Sequence, residues 1–145
     1  MNWLYNNKSV ESISDLPEGA YGFIYRILNS NGKFYIGKKS LIHNIKKALT
    51  KKELAEQSGP GRRATKKLVQ KESDWKTYYG SSKDLKEDIN NIGIENFTRE
   101  IIKVCYTKKE LTYWEIAIQC KEDVLLQDTY NDNILGKFFR KDLER

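Results

Sequence analysis

A chain of 145 residues, 39% hydrophobic and 32% charged, is long enough to bury a core as one domain without staples and too apolar to be disordered. No apolar run approaches the roughly 20 residues of a membrane span. One histidine, His43, and two cysteines without metal-ligand spacing, Cys105 and Cys120, leave zinc sites and a Ser-His-Asp triad little material. The formal net charge of +6 favours a polyanionic partner. All of that excess sits in one segment: residues 38–78 carry 12 basic against 4 acidic side chains, and the remainder carries 14 against 16.

In chain order, the opening stretch to Gly19 is polar and turn-rich. It starts Met1-Asn2-Trp3-Leu4, without the basic start and apolar core of a signal peptide. The far-separated cysteines read as reduced thiols, so a cytoplasmic protein is expected. Tyr21 to Leu28 and Lys33 to Lys38, joined by Asn29-Ser30-Asn31-Gly32, read as a β-hairpin. A two-residue turn at Asn31-Gly32 pairs Leu28 with Tyr35. A three-residue loop with Gly32 left-handed pairs Ile27 with Tyr35 and Tyr25 with Gly37. Only the second puts Tyr25 and Tyr35 on one face, and the sequence leaves both open.

The basic segment follows as three short helical pieces: Leu41 to Leu49, one opened by the capping box Thr50-Lys51-Lys52-Glu53 and ended by Gly59-Pro60-Gly61, and Ala64 to Lys71. Ser81 or Ser82 caps a helix with Leu85, Ile89 and Ile92, closed by Gly93. Phe97 to Cys105 is a strand. Thr107-Lys108-Lys109-Glu110 opens a helix through about Cys120 with Leu111, Trp114 and Ile118 on one stripe, and a short extended piece spans Tyr130 to Leu135. The expected class is α+β: a small three-stranded antiparallel sheet flanked by helices, one domain over 1–145, with the basic helical segment at about 38–78 following strand two.

Taken singly, the polar features have plain readings. Tyr25 and Tyr35 are good strand formers. Glu115, on the edge of the helix stripe, can pack its stem and reach water, and it can equally hold a divalent cation against a phosphate. A basic segment is most often a solvated face.

Together they resemble something specific. Phe23-Ile24-Tyr25, nine residues, then Tyr35-Ile36-Gly37 resembles the signature of GIY-YIG nucleases, with Phe23 where the family usually has glycine. Leu111-Thr112-Tyr113-Trp114-Glu115 is similar to the family helix bearing a metal-binding glutamate. Tyr130-Asn131 resembles the Tyr-Asn pair that often follows. The likeness covers about Tyr21 to Leu135 and extends to small freestanding bacteriophage enzymes of homing-endonuclease type. It implies a Mg²⁺- or Mn²⁺-dependent DNA endonuclease, with Glu115 as metal ligand, Tyr25 helping to deprotonate the attacking water, Tyr35 orienting the water or the phosphate, and Asn131 supporting the site. The family arginine after the second motif is missing, because Lys38-Lys39-Ser40-Leu41-Ile42-His43 follows instead. Tyr79-Gly80-Ser81-Ser82-Lys83-Asp84-Leu85 is similar to what usually comes there, which marks the intervening stretch as inserted. Lys39, with His43 four residues on, echoes the family's helical Arg-His pair; Arg62 or Arg63 is the alternative cation. Arg62, Arg63, Lys66 and Lys67 are expected to contact the DNA backbone. An inactive nucleic-acid-binding module of the same fold, or a basic protein-interaction domain, is the competing expectation.

Overall fold

A computed structural model describes residues 2–57, 59 and 61–144. It is α+β as expected, but the principal sheet has five strands rather than three and is mixed rather than antiparallel. The two unforeseen strands come from the opening stretch: β1 (Trp3–Tyr5) and β2 (Lys8–Val10) pair about Asn6 and Asn7, both with positive φ (51° and 64°). Asparagine tolerates that region, so the turn is legible, but three-residue strands are too short to show alternation. Trp3 and Val10 are buried and face each other across the pair.

The central strands are β3 (Gly22–Asn29), β4 (Phe34–Ser40) and β7 (Phe97–Cys105), in the order β2-β1-β7-β3-β4. The β3–β4 hairpin takes the three-residue-loop register, with Tyr25 opposite Gly37, Ile27 opposite Tyr35 and Gly32 left-handed at φ 93°. Between Ile24 and Tyr25 the pairing of β3 with β7 shifts by one residue, a bulge that re-aims the strand beside Tyr25. One face of the sheet buries Phe23, Tyr25 and Ile27 with Trp3, Trp75 and Leu85. The other buries Ile24 and Ile36 under Leu111, with Trp114 and Ile118 packed against them. Leu85 belongs to α2 (Lys83–Ile92), capped by Ser82 and closed at Gly93; Leu111 belongs to α3 (Lys108–Lys121), capped by Thr107. A small pair, β8 (Asn133–Ile134) with β9 (Phe138–Phe139), follows.

The chain divides into two compact units, Met1–Leu41 with Asp74–Arg145, and Ile42–Ser73. The second corrects the helical reading of the basic segment. Leu41 to Leu49 and Ala64 to Lys71 are not helices but the strands β5 (Ile42–Ala48) and β6 (Lys66–Glu72), paired antiparallel. The spacing of Leu41, Ile45 and Leu49 imitates a helical stripe, yet Ile45 faces Val69 across a ladder. Long-range pairing outweighs a weak local period here. Only α1 (Lys51–Ala55) is helical in this unit: its Thr50–Glu53 capping box opens it as read, but it stops at Ala55, short of the expected Gly59 end. The Gly59-Pro60-Gly61 stop falls partly outside the described residues. Among the described residues of this unit none is fully buried, so the ribbon carries little core of its own.

Candidate active site along an edge strand

β4 is an edge of the five-stranded sheet, so its outward backbone groups need partners other than a strand. The carbonyl of Phe34 accepts from the Tyr130 N–H at 2.9 Å. The Asn131 carboxamide imitates a strand against Ile36: its Oδ1 accepts from Ile36 N–H at 3.0 Å and its Nδ2 donates to Ile36 O at 2.9 Å, where Gln119 Nε2 also donates. One step further, the Lys38 N–H donates to the Glu115 carboxylate. A row of side chains thus closes the edge, and Glu115 is its last and most open member.

Asn131 is 2% exposed and both its polar atoms are engaged, so it orders β4 rather than facing a substrate. Arg140 orders Asn131 in turn, donating to the carbonyls of Val124, Leu125, Gln127 and Asn131. Asn131→Ala orphans the Ile36 N–H. It is expected to lower unfolding free energy by about 1–3 kcal/mol in a denaturant titration, with loss of activity following from a loosened β4.

The tyrosines come from two paired strands, Tyr25 from β3 and Tyr35 from β4. Tyr25 and Tyr35 share a face with ring centroids 6.1 Å apart, and Tyr78 closes on Tyr25 at 6.0 Å. Tyr35 Oη lies 2.9 Å from Ser81 Oγ. Gly37 is what permits this: a Cβ there would meet Tyr25 Oη at 2.6 Å, Tyr25 Cζ at 2.8 Å and Tyr35 Cε1 at 2.9 Å. Gly37→Ala removes no functional group yet must displace both rings. The expected result is a stable protein, weakened by about 1–3 kcal/mol of overpacking, whose activity falls because both rings have moved. Wild-type activity in that variant would contradict the shared-ring arrangement.

The missing first glycine of the motif is also explained. Phe23 is core, in edge contact with Trp3 at 4.9 Å and Trp75 at 6.3 Å. The close approach falls one residue earlier, where a Cβ on Gly22 would lie 2.6 Å from Lys39 O and 2.9 Å from Leu111 Cδ2.

Electrostatics separate the groups. Burial pushes the Tyr25 hydroxyl well above the usual tyrosine range, and the neighbouring Tyr35, Tyr78 and Glu115 add to it. Tyr35 is raised too, chiefly by burial, against a lowering by its Ser81 hydrogen bond. Burial raises Glu115, while Lys38 pulls it back. Lys38 Nζ is 4.0 Å from Glu115 Oε1 and donates to Thr112 Oγ1 at 3.0 Å. Lys39 shares the tyrosine face; its Nζ reaches Asp74 Oδ1 at 2.6 Å and lies 4.1 Å from the Tyr78 ring centroid.

The first unit therefore gathers Tyr25, Tyr35, Lys39, Glu115 and Asn131 around β4, and adds Lys38, Tyr78 and Ser81, which sequence reasoning did not single out. The signal for two of them was the Tyr78-Tyr79-Gly80-Ser81 run. Its anchoring was not legible: Trp75 is fully buried, and Arg99, stacked between Trp3 and Tyr79, donates to the carbonyls of Lys76 and Tyr78. His43, Arg62, Arg63, Lys66 and Lys67 belong to the second unit. His43 faces Lys71 across the ribbon, so the helical Lys39-to-His43 pairing does not exist, because both residues are on strands.

The chain matches no curated protein and no solved structure closely enough to establish a relative. A family described as "Putative endonuclease segE, GIY-YIG domain" matches residues 3–139. That match spans both units and nearly the full length, and the chain belongs to the GIY-YIG endonuclease family.

Proposed function

We propose that the chain is a divalent-metal-dependent DNA endonuclease whose reaction takes place at the Glu115 end of the β4 edge. The observation that carries this reading is the convergence of one half-buried carboxylate, Glu115, with two tyrosine hydroxyls and two lysines at a strand edge that Asn131 holds in place. The donor set fits Mg²⁺ or Mn²⁺, which bind through one or two carboxylates and take their remaining positions from phosphate and water. A carboxylate raised by burial is also one that a nearby cation relieves. Such an ion, held by Glu115, supplies Lewis-acid charge at the phosphate.

The chain's own groups do the rest. Tyr35 orients the attacking water through a hydroxyl that Ser81 fixes. Tyr25 rests as the neutral phenol and must first lose its own proton to solvent. Only as the phenolate, which nearby positive charge such as Lys39 on its own face stabilises, does it take up the water's proton. Lys38 and Lys39 offset charge on the pentacovalent phosphate. A shallow cleft of about 280 Å³, lined in part by Lys38, Lys39 and Lys108, takes the neighbouring phosphates. The second unit grips the DNA backbone. In its ribbon Lys47 lies opposite Lys67, and Lys46 and Lys66 are exposed on the other face, positive charge that a polyanion would meet.

Single-turnover cleavage and salt-dependent binding of a duplex test these assignments. Lys39→Ala is expected to lower the saturated rate about 10²-fold with affinity nearly kept. Arg62→Ala/Arg63→Ala is expected to leave the saturated rate alone, weaken binding uniformly and flatten the log K against log salt slope by about 1–2. A collapse of saturated cleavage in the double arginine variant, with Lys39→Ala nearly active, would transfer the cationic role to the second unit.

A further inference from the structure

We propose that the β5–β6 ribbon is the sequence-reading element of this protein, entering the major groove of duplex DNA with the face that carries Asn44, Lys46, Lys66, Leu68 and Gln70. This rests on the DNA reading above and goes beyond it, because a phosphate grip alone is blind to sequence.

The register sorts the ribbon into two unlike faces. Ile42–Glu72, Asn44–Gln70, Lys46–Leu68 and Ala48–Lys66 are directly opposed pairs on one side; His43–Lys71, Ile45–Val69 and Lys47–Lys67 are on the other. The second side is partly closed: Ile45 and Val69 are half-buried, and Glu53 of α1 holds Lys67 at 2.7 Å. The first is open. Asn44, Lys46, Lys66, Leu68 and Gln70 are all exposed, Leu68 at 67%. An exposed leucine flanked by lysines serves no core.

The chemistry of that face matches base edges rather than phosphates alone. Asparagine and glutamine are the side chains that pair bidentately with adenine N6 and N7, and an apolar side chain meets the thymine methyl. Asn44 and Gln70 sit side by side at about 5 Å across the ladder, a spacing that reaches neighbouring base pairs. Lys46 and Lys66, toward one end, provide the positive charge that draws the face to DNA, and the only carboxylate on it, Glu72, lies at the other end. A two-stranded ribbon fits a groove about 12 Å wide. Seven pairs at about 3.3 Å each give it enough length to cross that groove.

The test uses the full chain in chelator, so that nothing is cut. Selection from randomised duplexes defines a preferred sequence, and affinities are then measured on that duplex and on a scrambled one. Asn44→Ala and Gln70→Ala are expected to reduce the preference about tenfold to hundredfold each, with scrambled-duplex affinity and salt slope unchanged. Lys46→Ala/Lys66→Ala should weaken both duplexes equally and lower the salt slope. Replacing adenines of the preferred site with 7-deazaadenine should remove the same preference and add nothing in the Asn44 and Gln70 variants. Selection without a preferred sequence, or a preference that survives both alanine variants, overturns the inference. Sequence-blind binding beside intact cleavage overturns it alone; absence of DNA binding overturns the nuclease reading with it.

Discussion

Tyr25→Phe and Tyr35→Phe are each expected to lower the single-turnover cleavage rate by about 10²–10⁴-fold, the range for groups that move or orient a reacting proton. Each substitution removes one hydroxyl and keeps the ring, so the stacking of Tyr25 with Tyr35 and Tyr78 survives and the fold with it. The pH dependence then tells the roles apart. Burial keeps Tyr25 protonated well above the ordinary value of about 10, so in wild type the rate should still climb with pH beyond neutrality. Tyr25→Phe should flatten that climb, whereas Tyr35→Phe should lower the whole profile without changing its shape. Equal, pH-independent losses would make both tyrosines positioning groups.

Glu115→Gln should abolish cleavage, by about 10³-fold or more, while DNA affinity is kept or slightly raised because an anion has left the site. The substitution carries a second, independent signature in stability. Burial raises the Glu115 pKa in the folded chain, so its ionised form is the costly one. The sign follows: the acid's contribution is most favourable below the unfolded carboxylate value of about 4.3 and is lost as pH rises through the raised folded value. Without metal, Glu115→Gln should therefore raise the melting temperature at neutral pH, and the difference should vanish in acid. Cleavage at the wild-type rate by this variant would remove Glu115 from the reaction.

What the sequence makes visible is local, and what it hides depends on distant partners. The hairpin, its two candidate registers and the α3 stripe with Glu115 at its edge follow from turn chemistry and periodicity. Choosing the register needed the ring-on-glycine fit of Tyr25 over Gly37, a contact 12 residues apart in the chain. The edge closure of β4 needed Asn131, 95 residues from Ile36, and a carboxamide acting as a strand has no pattern to read. The ribbon reads locally as helices because Leu41, Ile45 and Leu49 keep a helical spacing, while the ladder that pairs Ile45 with Val69 is invisible at that range. Lys38 escaped notice beside Lys39 for a related reason. Strand alternation sends the two lysines to opposite faces, one to Glu115 and one to the tyrosines, and only the structure says which.

Conversion of supercoiled plasmid by the purified chain, followed with Mg²⁺ and in parallel with chelator, tests the central claim most directly. The β4-edge assignment predicts relaxed or linear product with Mg²⁺, none in chelator, and none from Glu115→Gln under either condition while its gel shift persists. Plasmid bound by wild type but left intact with Mg²⁺ and with Mn²⁺ would contradict it, and would make the chain a DNA-binding member of the family without the reaction.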